Sequence, residues 1–283
     1  MKRLLSLTLI LFLTSCSDDG ESKSLTSSSV QTSLPSPFVS GDWYRPSLDT
    51  SWQWQLNGKI NTSYDVDLYD IDLFDTDTTL IDSLKEEGKK VICYFSAGSY
   101  ENWREDKDAF PQEALGNTLD GWEDERWLDI TNEKLQTVMI ARLDLAVLKG
   151  CDGVEPDNVD AYDNDSGFAL SATDQLLYNI FLANAARERG LSIGLKNDLS
   201  QVNELEPYFD FALNEQCNAY NECDLLQPFI DNNKPVFNTE YDAAYVNNTN
   251  NKRDILCQNT NELQLRTLIL PLNLDDSFRY SCN

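Results

Sequence analysis

Histidine is absent from all 283 residues. Its absence excludes Ser-His-Asp and Cys-His nucleophile pairs and the common zinc sites. Acid and base work is left to Asp and Glu, or to Lys, Tyr and Cys. Positive charge is also scarce: 22 Lys and Arg stand against 48 Asp and Glu, a formal net charge of -26. A surface of that sign repels nucleic acid and anionic lipid and suits a cationic partner. No G-x-G-x-x-G or P-loop pattern occurs, which counts against nucleotide binding. The N-terminal apolar run, Leu4 to Leu13, is too short for a comfortable membrane span.

That run follows Lys2 and Arg3 and closes with Leu13-Thr14-Ser15-Cys16, so it reads as an export signal. The tetrapeptide resembles the bacterial lipoprotein box, which implies lipidation of Cys16 and an anchor at the cell envelope, the outer membrane where there is one. An ordinary secretory signal with a chance cysteine is the other reading. Residues 17–38 are Ser-rich with few large apolar residues, as in a flexible tether. The folded domain is expected over 39–283, a length that suits one α/β barrel. Six cysteines remain beyond Cys16, and an exported chain permits disulfides. Cys217 with Cys223 closes a short loop, and Cys257 with Cys282 pins the C-terminal tail. Cys93, in the middle of VICYF, reads as buried and free.

Strand-like runs alternate with amphipathic helices along the rest of the chain. The strands are TSWQWQL, VDLYDIDLFDTD, KVICYFSAGSYE, the stretch 151–160, LSIGLKND, DFALNEQC, PVFNTEYD and a last one inside TNELQLRTLILPLNL. A long insertion with three tryptophans separates the third from the fourth. This alternation predicts a parallel α/β fold. Polar residues gather where nearly every strand ends: Gln55, Asp75, Ser96, Asp157, Asp198, Glu215, Glu240 and Asp275. A closed (β/α)8 TIM barrel brings all eight ends to one mouth, so a barrel is favoured over an open sheet.

The chemistry concentrates in CDGVEPDNVD, which sets Asp152, Glu155, Asp157 and Asp160 within ten residues. Carboxylates so close repel one another and raise at least one pKa. A solvated acidic loop and a divalent-cation site are the plainer readings, the latter making a metal-dependent hydrolase. A separate carboxylate, Glu215, ends another strand, and two carboxylates at two strand ends are what glycosidic cleavage needs.

WQWQL, YDIDLFDT, VICYFSAGSYENWR, GCDGVEPDNVDAY, GLKND and FALNEQC, in this order and spacing, resemble glycoside hydrolase family 114, the endo-α-1,4-polygalactosaminidases. The resemblance covers about residue 40 to the C-terminus. It implies a (β/α)8 barrel, no cofactor, and retaining endo-hydrolysis of galactosamine polymers, cationic or partly acetylated. By motif, the catalytic pair falls on Asp157 as nucleophile and Glu215 as acid/base. Glu155 faces the same side of its strand as Asp157 and is expected to bind substrate or tune a pKa; exchange of its role with Asp157 stays open. Glu215 is expected to be kept protonated by the charges of Asp157 and Glu155.

The other polar strand-end groups fit binding. Asp75, Asp160, Asp198 and Glu240 are candidates for a sugar ammonium, and Lys196 and Asn197 for hydroxyls, with Lys196 also able to keep Asp157 ionised; Asn158 is a further substrate-binding candidate. Trp54, Tyr94, Tyr100 and Trp103 are candidates for stacking on sugar faces. A monomer is expected, touching membrane only through its lipid. The competing reading is a surface-anchored carbohydrate-binding lipoprotein that kept the barrel and lost turnover.

Overall fold

The computed structural model describes residues 34–283; the signal run, Cys16 and residues 17–33 of the tether lie outside the described residues. Backbone contacts to the folded body begin at its first residues. Tyr208 donates to the Pro35 carbonyl, Asn184 Nδ2 donates to the Ser36 carbonyl, and its Oδ1 accepts from the Phe38 amide.

Eight parallel strands follow in chain order: β1 Trp52–Gln55, β2 Leu68–Asp72, β3 Lys90–Ser96, β4 Gly153–Asp157, β5 Ser192–Lys196, β6 Phe211–Glu215, β7 Val236–Glu240 and β8 Arg266–Ile269. Each pairs with the next. The curled sheet is a (β/α)8 barrel whose seam lacks a β8–β1 ladder among the described residues. Side chains and the tail close it instead. Trp52 Nε1 donates to the Arg266 carbonyl at 2.9 Å, Arg279 donates to the Trp52 carbonyl at 2.9 Å, and Tyr280–Ser281 adds antiparallel to β8.

Helices between strands cover the outer face. Helix α1 is Thr78–Glu86, α2 Glu133–Lys149 and α3 Ala172–Glu188. Asn132 caps α2, and Gly150 ends it at φ 84°, a left-handed position open to glycine. Ser171 and Asp174 form a reciprocal capping box at the start of α3. The final helix is Lys252–Glu262; only Leu256 and Thr260 are buried on it, so its apolar stripe is too thin to read from the sequence. Strand β8 stops at Ile269, and Asp275 sits in a later turn with Asn273 and Ser277 rather than at a strand end.

Alternation along the strands sorts the side chains. Tyr69, Ile71, Val91, Cys93, Phe95 and Val154 belong to the core shared with the helices, whereas Trp52, Trp54, Leu68, Ile92, Phe211 and Leu213 form a second core. Cys93 is buried but not free: it is bonded to Cys151, which precedes β4, so the two strands are tied on their helix side. The other disulfides are Cys217–Cys223 and Cys257–Cys282.

The long insertion is a three-stranded antiparallel sheet, Ser99–Glu101, Trp122–Leu128 and Leu115–Leu119 in that spatial order. It leaves β3 through Gly98, where a β-carbon would stand 1.6 Å from the Asn158 carbonyl oxygen. Only glycine allows the insertion to leave so close to the end of β4.

Candidate active site

Asp157 ends β4, Lys196 ends β5 and Glu215 ends β6. Their positions repeat the two-residue period of the inner face, which also carries Glu155 two residues before Asp157. Lys196 is buried, and its Nζ lies 2.8 Å from Asp157 Oδ1, 3.3 Å from Glu215 Oε2 and 3.4 Å from Glu155 Oε1. One ammonium bridging both strand-end acids keeps their nearest oxygens within about 6 Å of each other. The carboxylate of Asp157 also accepts from the Tyr94 hydroxyl at 3.0 Å on Oδ2 and from the Asn158 amide at 2.8 Å on Oδ1. Glu215 accepts from the Tyr241 hydroxyl on Oε1, and its backbone amide donates to Asn197 Oδ1 at 3.0 Å.

Beneath this group the electrostatics are those of a cation among too many acids. Burial alone would lower the Lys196 pKa, but the charges of Asp157 and then Glu215 hold it well above the usual lysine range. Glu155 is completely buried, and burial followed by the charge of Asp70 pushes it well above the usual carboxylate range. Burial also pushes Asp70 up to about 7. Neither oxygen of Glu155 has a hydrogen-bond partner among the described residues, so no such bond offsets its burial and Glu155 keeps its proton. Glu155 thus sits behind the reacting edge, away from any sugar.

The mouth above is a cleft of about 780 Å³ lined by Asp157, Glu215, Lys196, Tyr94, Trp54, Asn158, Asp160, Asn197 and Asp75 together with the insertion. Trp54 forms its floor, with Lys196 Nζ 5.1 Å from the ring centroid. Trp103 and Trp122 stand about half exposed on its rim. Arg104 is locked within the wall. It grips Asp72 with two hydrogen bonds of 2.9 and 2.6 Å, holds Glu101 at 2.7 Å, and reaches the exposed Asp75 at 3.4 Å.

Several expected binding residues stand elsewhere. Glu240 is fully buried at the end of β7, where its Oε1 accepts the Asn218 amide at 2.8 Å; it serves the helix turn at Cys217–Tyr220 and cannot reach a sugar. Asp198 lies in an adjoining hollow with Asp160, Tyr162 and Glu222, held at 2.9 Å by Asn179. Burial pushes Asp198 up to about 8 and Asp160 up to about 6. Tyr100 packs edge-on against Phe110 and lines neither hollow. The four acids of 151–160 do not converge as metal ligands: Asp152 lies at the opposite end of β4, paired with Lys90 at 3.0 Å and bonded to the Val91 amide.

Sequence reasoning did not single out Tyr241, Arg104, Trp122 or Glu125 for the site. Tyr241 follows directly on a strand end and was open to the same argument as Asn158. The other three sit in the insertion, whose fold carries no periodic signature.

Comparison with known proteins supplies the context. The model for glycoside-hydrolase family GH114 matches residues 33–283. Among solved structures, Ega3 of Aspergillus fumigatus in complex with galactosamine is 42% identical, with a TM-score of 0.80 over 86% of this chain and 99% of that one. The glycoside hydrolase domain of PelA from Pseudomonas aeruginosa shares 12% identity, with a TM-score of 0.63 over 80% of this chain and 96% of that one. The second likeness is one of fold alone. No curated protein matches the sequence.

Proposed function

The chain belongs to glycoside-hydrolase family GH114 and is a glycoside hydrolase; from that membership we propose that it is a retaining endo-glycosidase acting on α-1,4-linked polymers of galactosamine, free or partly N-acetylated. The observation that carries the reading is the single Lys196 ammonium shared by Asp157 and Glu215 at 2.8 and 3.3 Å. Retaining enzymes hold their two carboxyls roughly 5 Å apart, whereas inverting enzymes leave ~6.5–9.5 Å for a water. A bound of about 6 Å on the nearest oxygens, set by the shared ammonium, is compatible with the first. The galactosamine bound to the 42% identical Ega3 supports the choice of sugar.

Asp157 attacks the anomeric carbon as nucleophile, held in place by Lys196, Tyr94 and its neighbouring amide. Glu215, oriented by Tyr241 and Asn197, gives a proton to the departing glycosidic oxygen. It then takes a proton from the water that releases the sugar, which restores Asp157 and leaves the anomeric configuration as it began. Trp103 and Trp122 offer half-exposed faces for successive sugar rings, so a polymer can lie across the mouth, while the buried Trp54 only floors it.

Digestion of partly deacetylated α-1,4-galactosamine polymer by the purified protein should give new reducing ends, internal cuts by mass analysis and products with the original anomeric configuration by NMR. Binding without new ends would make it a carbohydrate-binding protein instead. The proposal extends to residues 1–16 as a lipoprotein signal, 17–38 as a tether whose end, from Pro35, is bonded to the barrel, and a monomeric enzyme at the cell envelope. Cys16→Ala should free it from membranes, and a Cys16→Ala chain that stays membrane-bound would remove the anchor.

A further inference from the structure

Glu101 and Glu125 face each other directly across the antiparallel ladder of the insertion. Like charges opposite one another destabilise a sheet. Here both are also buried, at 2% and 7% exposure. Their surroundings differ. Glu101 has the Arg104 guanidinium at 2.7 Å and Arg142 at 3.6 Å. Glu125 accepts from Ser99 Oγ at 2.6 Å, and no basic side chain forms an ion pair with it among the described residues. Ser99 is fixed in turn by Ser96 at 2.6 Å, and both hydroxyls accept from Asn158 Nδ2. The carboxyl is therefore positioned by a hydrogen-bond chain that runs to the residue beside Asp157, and it lines the cleft.

A buried acid opposite another acid, fixed in place but given no cation, is a cost to the fold unless a cation arrives from outside. We propose that Glu125 selects the unacetylated amino sugar, receiving the ammonium of a galactosamine unit seated between the insertion and the end of β4; this rests on the galactosamine-polymer reading above. The Arg104 guanidinium is already taken by Asp72 and Glu101, so the ligand's ammonium is the charge this wall lacks. An N-acetyl group is neutral and brings no such charge. Burial, with Glu101 and Asp157 adding to it against the Ser99 hydroxyl and Arg104, pushes the Glu125 carboxyl up to about 7. Binding of the ammonium then ionises Glu125, and its proton passes to the solvent.

The test uses monosaccharides, which are not cleaved. Calorimetric titration of the wild-type protein with galactosamine at pH 7, in two buffers of different ionisation enthalpy, should show proton release, and N-acetylgalactosamine should bind more weakly with less release. Glu125→Gln keeps the shape and removes the charge. It should weaken galactosamine at least tenfold, the effect of losing one charged hydrogen bond of ~1.5 kcal/mol, lose that share of the proton release, and leave N-acetylgalactosamine unchanged. Equal loss of both sugars, or no loss of galactosamine, overturns the assignment. The wild-type proton count needs no variant, and its absence overturns the assignment independently. A protein that meets these expectations yet leaves the polymer uncut refutes the hydrolase reading and not the role of Glu125.

Discussion

Lys196 Nζ stands 2.8 Å from Asp157 Oδ1 across adjacent strands, and the same nitrogen reaches Glu215 from the other side. The contact places the two acids in one site, and it separates them from Glu155, which lies behind the lysine and is kept protonated by burial and the charge of Asp70. Asp157→Asn and Glu215→Gln should each lower kcat by about a thousandfold or more with the fold intact, since each removes a group acting in the transition state. Glu155→Gln should retain most activity, because an amide replaces a carboxyl that is already neutral. Rates of reducing-end release, with circular dichroism for folding, decide it. An active Asp157→Asn beside a dead Glu155→Gln would move the nucleophile to Glu155.

The Cys93–Cys151 disulfide closes a 58-residue separation that includes the whole insertion and α2. Chain entropy assigns such a loop about 4 kcal/mol, against about 2 kcal/mol for a loop the size of Cys217–Cys223. The double variant Cys93→Ala, Cys151→Ala should lower Tm by roughly 10 °C, and Cys217→Ala, Cys223→Ala by about half as much. Differential scanning calorimetry checks the order. If the short loop costs more than the long one, local packing at the end of β6 outweighs loop closure.

This bond also shows where the sequence stops being legible. Alternation in VICYF correctly buries Cys93, but nothing local says that Cys151, before the next strand, faces the same helix layer, because the two are brought together by the pairing of β3 with β4. The barrel itself was readable, since eight strand runs carry their own local pattern and the long helices Thr78–Glu86, Glu133–Lys149 and Ala172–Glu188 separate several of them. Asp157, Glu215 and Lys196 were readable for the same reason: a strand end is a local feature. Glu240 misled because a strand-end acid has the same sequence signature whether it faces the mouth or receives a helix amide. Glu125 was hidden because its role depends on its partner in the antiparallel ladder, Glu101, and that pairing skips 24 positions through irregular turns.

Stability should fall as pH rises from about 4 to about 8. Asp160 is held up to about 6, Glu125 to about 7 and Asp198 to about 8, with burial the first cause of each. In the unfolded chain these groups ionise near ~4, so between those values the folded state binds more protons and each unit of pH lowers its relative free energy advantage. That contribution is complete below about pH 4 and is lost as pH passes through the folded values. The acids with lowered values, such as Asp67 and Asp174, ionise below this window and do not reverse it. Thermal scans should give a Tm roughly 10 °C higher at pH 5 than at pH 8.5. Asp198→Asn should reduce the difference, and a flat or rising profile would show that these carboxyls ionise without cost.

Salt should separate the two forms of the polymer. With a net charge of -26, the protein attracts a polycation over a distance set by the Debye length, about 10 Å at 0.1 M salt and about 3 Å at 1 M. Exposed groups such as Asp75, 73% exposed at its side chain, feel that screening fully, whereas the buried Glu125 is shielded from it. Raising salt from 0.1 to 1 M should therefore weaken binding of the deacetylated polymer several-fold and slow its association, while the fully acetylated polymer, which carries no charge, should change by less than about twofold. The residual preference at 1 M measures the buried contact alone and should disappear in Glu125→Gln. Binding to immobilised Asp157→Asn, which holds the polymer uncut, provides both numbers; equal sensitivity of the two polymers would mean that recognition at the mouth does not depend on charge.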